Sequence, residues 1–381
     1  MMYRSLRVLS AVLPAGLFPG LAQAHIKWFH NYDLMQPPRD IDAVLGHTPF
    51  AGLMVLAALV LFVAAYADHL LLAGNSLARR ASARIELWAA DKTYGFLRLL
   101  IGLLFAVLAS DGRTLLTPEL AASSPCVAEI QWVIAFTALF PATGAVAGTA
   151  ILLLYGMAIE KYGLFHMFDY PAFVGAAVYL MWMSFNRQAH THALALLRVA
   201  TALTLMVGAT EKFGYPGWSF DLLRNYPVLT FGVTDLEFYM VGAGLVEFAL
   251  AYLLLFGRVS GKAGAAILFG LMASAILLFG WMDAVGHALF LAALLAMTVN
   301  RNPVAEGLQR GLHGLLHERL MQRLSSAAGG AARATTTALV HAAVSASLFT
   351  ALVIGFVQTY HAANLALTLC STAPDGRHIH K

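Results

Sequence analysis

Long apolar stretches alternate with short polar ones along this chain. Ten apolar stretches can be marked, at about 48–67, 93–110, 127–141, 143–160, 169–185, 193–210, 235–256, 263–281, 284–299 and 336–360. A helix needs roughly 20 apolar residues to cross the hydrocarbon core of a bilayer. The third and ninth stretches fall short of that, and the third and fourth meet at a tight turn around Pro141 and Gly144. The pattern predicts an all-α fold, a polytopic transmembrane helix bundle of about ten spans. Between 304 and 324 it changes to arginines on one side of a helix and leucines on the other. Such a helix is expected to lie on the inner membrane surface, drawn there by anionic lipid. His313 and His317 share its face at a spacing of four.

Composition agrees. Of 381 residues, 60% are hydrophobic and 12% charged, and the mean hydropathy is +0.72. A soluble domain carries about 25% charged residues. An ordinary soluble protein, a disordered chain and a fibrous one are excluded, and the lipid bilayer is the expected partner. The net charge of +4 is spread among loops, which argues against nucleic acid, whose binding needs a clustered basic face. Two cysteines exclude a disulfide-rich scaffold and a four-cysteine zinc site.

Residues 1–24 read as a cleaved signal peptide. Arg4 and Arg7 form its positive region, Leu9 to Leu21 its apolar core, and Ala22-Gln-Ala24 its cleavage site. Cleavage would make His25 the first residue and start the mature chain outside. Alternating from there, the inside segments 68–92, 186–192, 257–262 and 300–335 hold most of the basic residues. This matches the positive-inside rule. It predicts a bacterial inner-membrane protein with both mature termini periplasmic. Cys126 and Cys370 then share the oxidising side, where a disulfide between them is possible.

The middle of the chain contains itself twice. Arg98 opens one span that Asp111 closes, and Arg198 opens another that Glu211 closes at the same interval. Ala147-Gly-Thr-Ala-Ile-Leu-Leu153 matches Ala263-Gly-Ala-Ala-Ile-Leu-Phe269, and each half has an aspartate, Asp169 or Asp283, before an apolar segment. Residues 93–185 and 193–299 are therefore read as two parallel four-helix repeats. Around them lie the signal (1–24), an external segment (25–47), a first span with its loop (48–92), the amphipathic segment (300–335) and a last span with its tail (336–381).

The second repeat carries Thr210-Glu-Lys-Phe-Gly-Tyr-Pro-Gly-Trp218, then Gly242-Ala-Gly-Leu-Val-Glu247 and Gly280-Trp-Met-Asp-Ala-Val-Gly-His287. With these residues the pair of four-helix units resembles the DoxX family. That resemblance implies a small four-helix membrane unit, here in tandem, and an association with quinol, thiosulfate or other membrane redox systems. If the chain is an enzyme, the resemblance implies an oxidoreductase.

Charged residues inside spans are costly and mark functional candidates. Glu247 lies near the middle of its span, where the first repeat has Gln131. A buried carboxylate must keep its proton or find a partner, and Glu211, Glu237, Asp283 and His287 are the candidates. Asp283 and His287 are four residues apart and face the same way along a helix. They can share a proton or a metal, or serve simply as a helix cap with a satisfied ring. Glu211, Glu247, Asp283 and His287 make up the candidate catalytic set.

A second cluster is His25-Ile-Lys-Trp-Phe-His30. A terminal His25 offers its α-amino group and ring nitrogen to Cu(II), in the manner of the histidine brace of copper proteins, with His30, His47 or His166 as a third nitrogen. Equally, Lys27, Trp28, Phe29 and Tyr32 can anchor the segment at the membrane interface. Walker, dinucleotide, HExxH, CxxC and GxSxG motifs are absent. Three functions remain: a membrane redox component handling quinone with a redox partner, a copper-handling protein, and a non-catalytic assembly partner.

Overall fold

The computed structural model describes residues 36–74, 76–122, 124–316 and 330–371. Side chains are described at these positions except 72–79, 81–82, 91, 309, 312–316, 330–334 and 368–371. The helices are α1 (Ile41–Leu45), α2 (Thr48–Gly74), α3 (Ser76–Asp111), α4 (Cys126–Ala138), α5 (Gly144–Tyr162), α6 (Leu164–Met167), α7 (Pro171–Phe185) and α8 (His190–Gly214). They continue with α9 (Phe220–Asn225), α10 (Leu236–Phe256), α11 (Val259–Phe279), α12 (Trp281–Val299), α13 (Pro303–Leu316) and α14 (Gly330–Ser371). The only pairing of β type among the described residues is a single bridge between Thr114 and Ala121.

Eight helical segments are long and apolar enough to cross a membrane: Thr48–Leu71, Lys92–Asp111, Pro141–Tyr162, Arg187–Gly214, Leu236–Phe256, Val259–Phe279, Trp281–Val299 and Thr335–Leu367. Two more apolar helices, Cys126–Ala138 and Pro171–Phe185, are shorter. The short pair thus differs from the expected one. The ninth stretch gains a turn, because α12 starts at Trp281 just after Gly280, whose φ of 72° breaks the chain out of α11. The fifth loses its first two residues, because the buried Asp169 stays outside the helix and Pro171 sets its first turn. A further correction concerns 68–92, read as a loop. There α2 runs on to Gly74, and α3 starts at Ser76 with Arg80 and Arg84 exposed and Glu86 paired with Lys262 ahead of its apolar part.

Eight helices close into a ring. α3 packs on α4, α4 on α5, α5 on α7, α7 on α8, α8 on α10, α10 on α11, α11 on α12, and α12 returns to α3. α2 and α14 pack on each other outside the ring, α2 also covering α10 and α14 covering α8.

Polar clamps gather at the two ends. At one, Asp68 of α2 accepts from the backbone N–H of Arg258 (2.8 Å) and Ser260 (2.7 Å), tying the α10–α11 turn. Asn302 donates to the carbonyls of Leu254, Leu255 and Gly257, and Asn300 donates to Thr93 of α3. Arg198 also belongs to this end, donating to the Leu254 carbonyl at 3.2 Å. At the other end, the Arg39 N–H donates to the Gly214 carbonyl, and Tyr360 of α14 donates to Glu211. These are called the Arg198 end and the Glu211 end below.

Candidate functional site: a buried lysine–glutamate pair beside an aspartate–histidine pair

α8 continues past the expected end of its span at 210 to Gly214. The extra turn turns Lys212 inward. At Gly244 α10 approaches α8 so closely that a Cβ would lie 2.5 Å from the Phe213 ring and 3.0 Å from the Ala209 carbonyl. Across this contact the Lys212 ammonium meets the Glu247 carboxylate at 2.5 Å, with side chains only 5% and 11% exposed. Lys212 also donates to the Gly208 carbonyl at 3.3 Å. An isolated charge here would bear the full cost of leaving water, and pairing offsets much of it.

Lys212 is not among the four partners that the sequence offers Glu247, because the span before it is expected to end at 210. The available signal was its position: a lysine in the last turn of a helix is favoured by the helix dipole, so α8 could have been extended through it.

Asp283 and His287 face each other on α12 as their spacing predicts. Nδ1 of His287 lies 3.1 Å from Oδ2 of Asp283, and both side chains are 2% exposed. His287 also lies within electrostatic reach of Glu247. Three of the four candidate catalytic residues therefore share one buried neighbourhood with Lys212.

Glu211 goes elsewhere. It accepts from the Tyr360 hydroxyl at 3.1 Å and joins α8 to α14. Beside it Asn364 donates to the Tyr215 hydroxyl, Tyr215 stacks on Trp218 with ring centroids 3.9 Å apart, and Trp218 donates to Gln36. Glu237 is taken by Arg39.

Of the four histidines proposed as metal ligands, the structure describes His47 and His166, which have different carboxylate partners. His25 and His30 lie outside the described residues. His47 sits 3.5 Å from Glu237, whereas His166 lies 3.0 Å from Glu119, which Tyr170 also contacts. Among the described residues no group of three or more His, Cys, Asp and Glu side chains could hold a metal ion. Cys126 is exposed, and the Cys370 side chain lies outside the described ones.

A cleft of about 500 Å³ opens at the Glu211 end between α3 and α12. Ser110, Asp111 and Thr114 supply its polar lining, and Leu108, Trp281 and Met282 lie on its apolar part. α12 stands between this cleft and the acid–histidine pair. Trp281 and Met282 are exposed on one face, and Asp283 and His287 are buried on the other. An apolar body with a polar head matches the lining of such a cleft.

No family model, no curated protein and no solved structure matches the chain.

Proposed function

We propose that the chain is a DoxX-like, quinone-linked redox component of the bacterial inner membrane, in which the Lys212–Glu247 and Asp283–His287 pairs handle protons. One observation carries the reading: two acid–base pairs are buried together inside apolar helices, where charge is kept only at a cost. Quinol oxidation releases protons that need an acceptor near the ring. A proton added to His287 is balanced by the Asp283 carboxylate, whereas one added to Glu247 leaves the Lys212 ammonium without its counter-charge and so must be passed on. The α3–α12 cleft supplies an apolar site on the far face of the same helix.

Two features of the packing support the duplication within this reading. In the first half Arg98 donates to the carbonyls of Ala138 (3.2 Å) and Leu139 (2.7 Å), at the end of the next helix. In the second half Arg198 donates to Leu254 (3.2 Å) and Met297. One interval separates Gln131 from Glu247, Ala138 from Leu254 and Ala147 from Ala263. The ring order also repeats, with α3, α4, α5 and α7 standing to one another as α8, α10, α11 and α12 do. At the position of Glu247 the first half has Gln131, which donates to the carbonyls of Thr114 and Leu115. A neutral amide suffices there, so the charge of Glu247 is not a requirement of the packing.

The test is quinone binding to the detergent-purified chain. Titration with ubiquinone-1, followed by tryptophan fluorescence, is expected to saturate for the wild type. Glu247→Gln is expected to weaken binding at least tenfold, about 1.4 kcal/mol. The double variant Lys212→Met with Glu247→Leu removes both charges and controls for folding. Wild-type protein that neither retains quinone on extraction nor responds to the titration sinks the proposal.

A further inference from the structure

The part of α3 that precedes its apolar span carries a basic ridge. Arg80, Arg84, Trp88 and Lys92 follow one another at steps of four. Residues four apart lie one above another on a helix, and all four are exposed. Lys92 holds its ammonium 4.6 Å from the centroid of the Trp88 ring. Two turns beyond Lys92 the same side of the helix becomes apolar, at the exposed Leu99 and then Leu103. Between them and the cations Gly95 leaves the surface bare, since an added Cβ would meet no atom within 4 Å. The other side of the stretch faces protein: Ala89 is buried, and Thr93 accepts from Asn300.

The depth of the ridge follows from its neighbours. Glu86, between Arg84 and Trp88, pairs with Lys262 at 2.6 Å. Lys262 belongs to the opening turn of α11, which is apolar enough to cross the membrane from Val259 onward. Arg301, just past the end of α12, is within electrostatic reach of Glu86. Residues 84–92 therefore run level with the ends of neighbouring spans. Trp88 and Leu87 are 60% and 77% exposed there, and Ile85 is exposed as well. Apolar side chains left bare beside cations suit the boundary between lipid headgroups and acyl chains.

We propose that this face of α3 binds an anionic phospholipid, its phosphodiester held by Arg84 and Lys92 with Trp88 between them and its acyl chains lying along Leu99 and Leu103. Charge selects the ligand. Arg80, Arg84, Lys92 and Lys262 outnumber Glu86 and Asp91 by two, and basic residues flanking a span are drawn to anionic headgroups. A zwitterionic phospholipid brings an ammonium of its own, which the same cations oppose. Other exposed helix faces lack this feature: Leu277 and Leu278 of α11 lie among apolar residues, with no cation in the same turn. The order along α3 also matches the ligand, with cations first, an aromatic ring at the boundary and leucines beyond it. This inference goes beyond the proton-handling site and stands or falls without it.

The experiment is tryptophan quenching of the purified full chain in mixed phosphatidylglycerol–phosphatidylcholine vesicles, with one of the two lipids brominated high on its acyl chains. Brominated phosphatidylglycerol is expected to quench the wild type more than brominated phosphatidylcholine at the same fraction, a preference of about fivefold. Trp88→Phe is expected to remove that extra quenching, which locates it at the ridge. Arg84→Gln with Lys92→Gln is expected to bring the preference close to one. Arg187→Gln, at an exposed cation of the same end, is expected to leave it unchanged. Equal quenching of the wild type by the two lipids overturns the proposal. So does a preference that survives either ridge variant, or one that Arg187→Gln lowers as much as the double variant does. Loss of the preference in an excess of soluble glycerol phosphate would mean that the cations take a free phosphate, and overturns it too.

Discussion

Glu247 and Lys212 hold their charges only through each other. Removing one partner leaves the other buried and uncompensated, which costs about 3–5 kcal/mol for buried pairs, whereas replacing both with apolar residues is often neutral. Lys212→Met alone is therefore expected to lower the thermal unfolding midpoint in mild detergent sharply. Lys212→Met with Glu247→Leu is expected to recover most of that loss. A double variant as unstable as the single one would show that the two charges are not coupled. Gly244 gives a second check at this scale. Its added Cβ would meet the Phe213 ring and the Ala209 carbonyl, and overpacking of this kind costs about 1–3 kcal/mol. Gly244→Ala is expected to destabilise the chain by that amount in the same assay. Glu247 was legible in the sequence as an acid with nothing charged beside it. Its partner was not, because Lys212 sits next to Glu211 at what looked like the end of a span. Whether two adjacent residues face a loop or a neighbouring helix depends on where α8 stops, and hydropathy locates helix ends poorly.

At the scale of elements, the turn after α10 is held from three sides. Asn302 donates to the carbonyls of Leu254, Leu255 and Gly257, Arg198 reaches Leu254, and Asp68 caps the start of α11. The last carbonyls of a helix have no partner within it, and a buried one left bare costs about 1–3 kcal/mol. Asn302→Leu is expected to cost that much and to raise amide hydrogen exchange between 254 and 261. Exchange unchanged there would argue against the clamp. Asn302 does not stand out in the sequence, since an asparagine after a span looks like any loop residue. The Arg98 and Arg198 spacing was legible, but not its use: each arginine neutralises the carbonyl end of the next helix. The lengths of α4 and α7 were only half legible. The 13 residues of α4 rise about 20 Å, shorter than a full span, and its sequence limit blurs into the apolar Leu139 and Phe140.

At the scale of the molecule, the clamps at the two ends fit the up-and-down path that the hydropathy pattern implies. Asp221 and Arg113 are exposed at the Glu211 end, and Arg187 and Arg301 at the Arg198 end. With the basic end inside the cell, a membrane-impermeant maleimide added to intact cells is expected to label Asp221→Cys and Arg113→Cys. Arg187→Cys and Arg301→Cys are expected to react only after permeabilisation. The reverse pattern would invert the topology. The order of the spans could be read from the chain, because each is a local property of about 20 residues. The closure of the ring between α12 and α3 could not, because it joins segments far apart in sequence.

The pairing of α2 with α14 has a consequence for how the molecule is made. These are the earliest and latest of the described apolar helices to leave the ribosome, yet they become neighbours. Until synthesis reaches the end, α2 waits beside lipid with its eventual contact unmade, and the Phe248–Tyr252 surface of α10 stays bare. Asp68 waits as well, since the turn it caps is translated nearly two hundred residues later. The chain therefore has no finished intermediate. A ribosome that stalls before α14 leaves Phe248 and Tyr252 of α10, which lie against Phe349 of α14 in the finished chain, facing lipid.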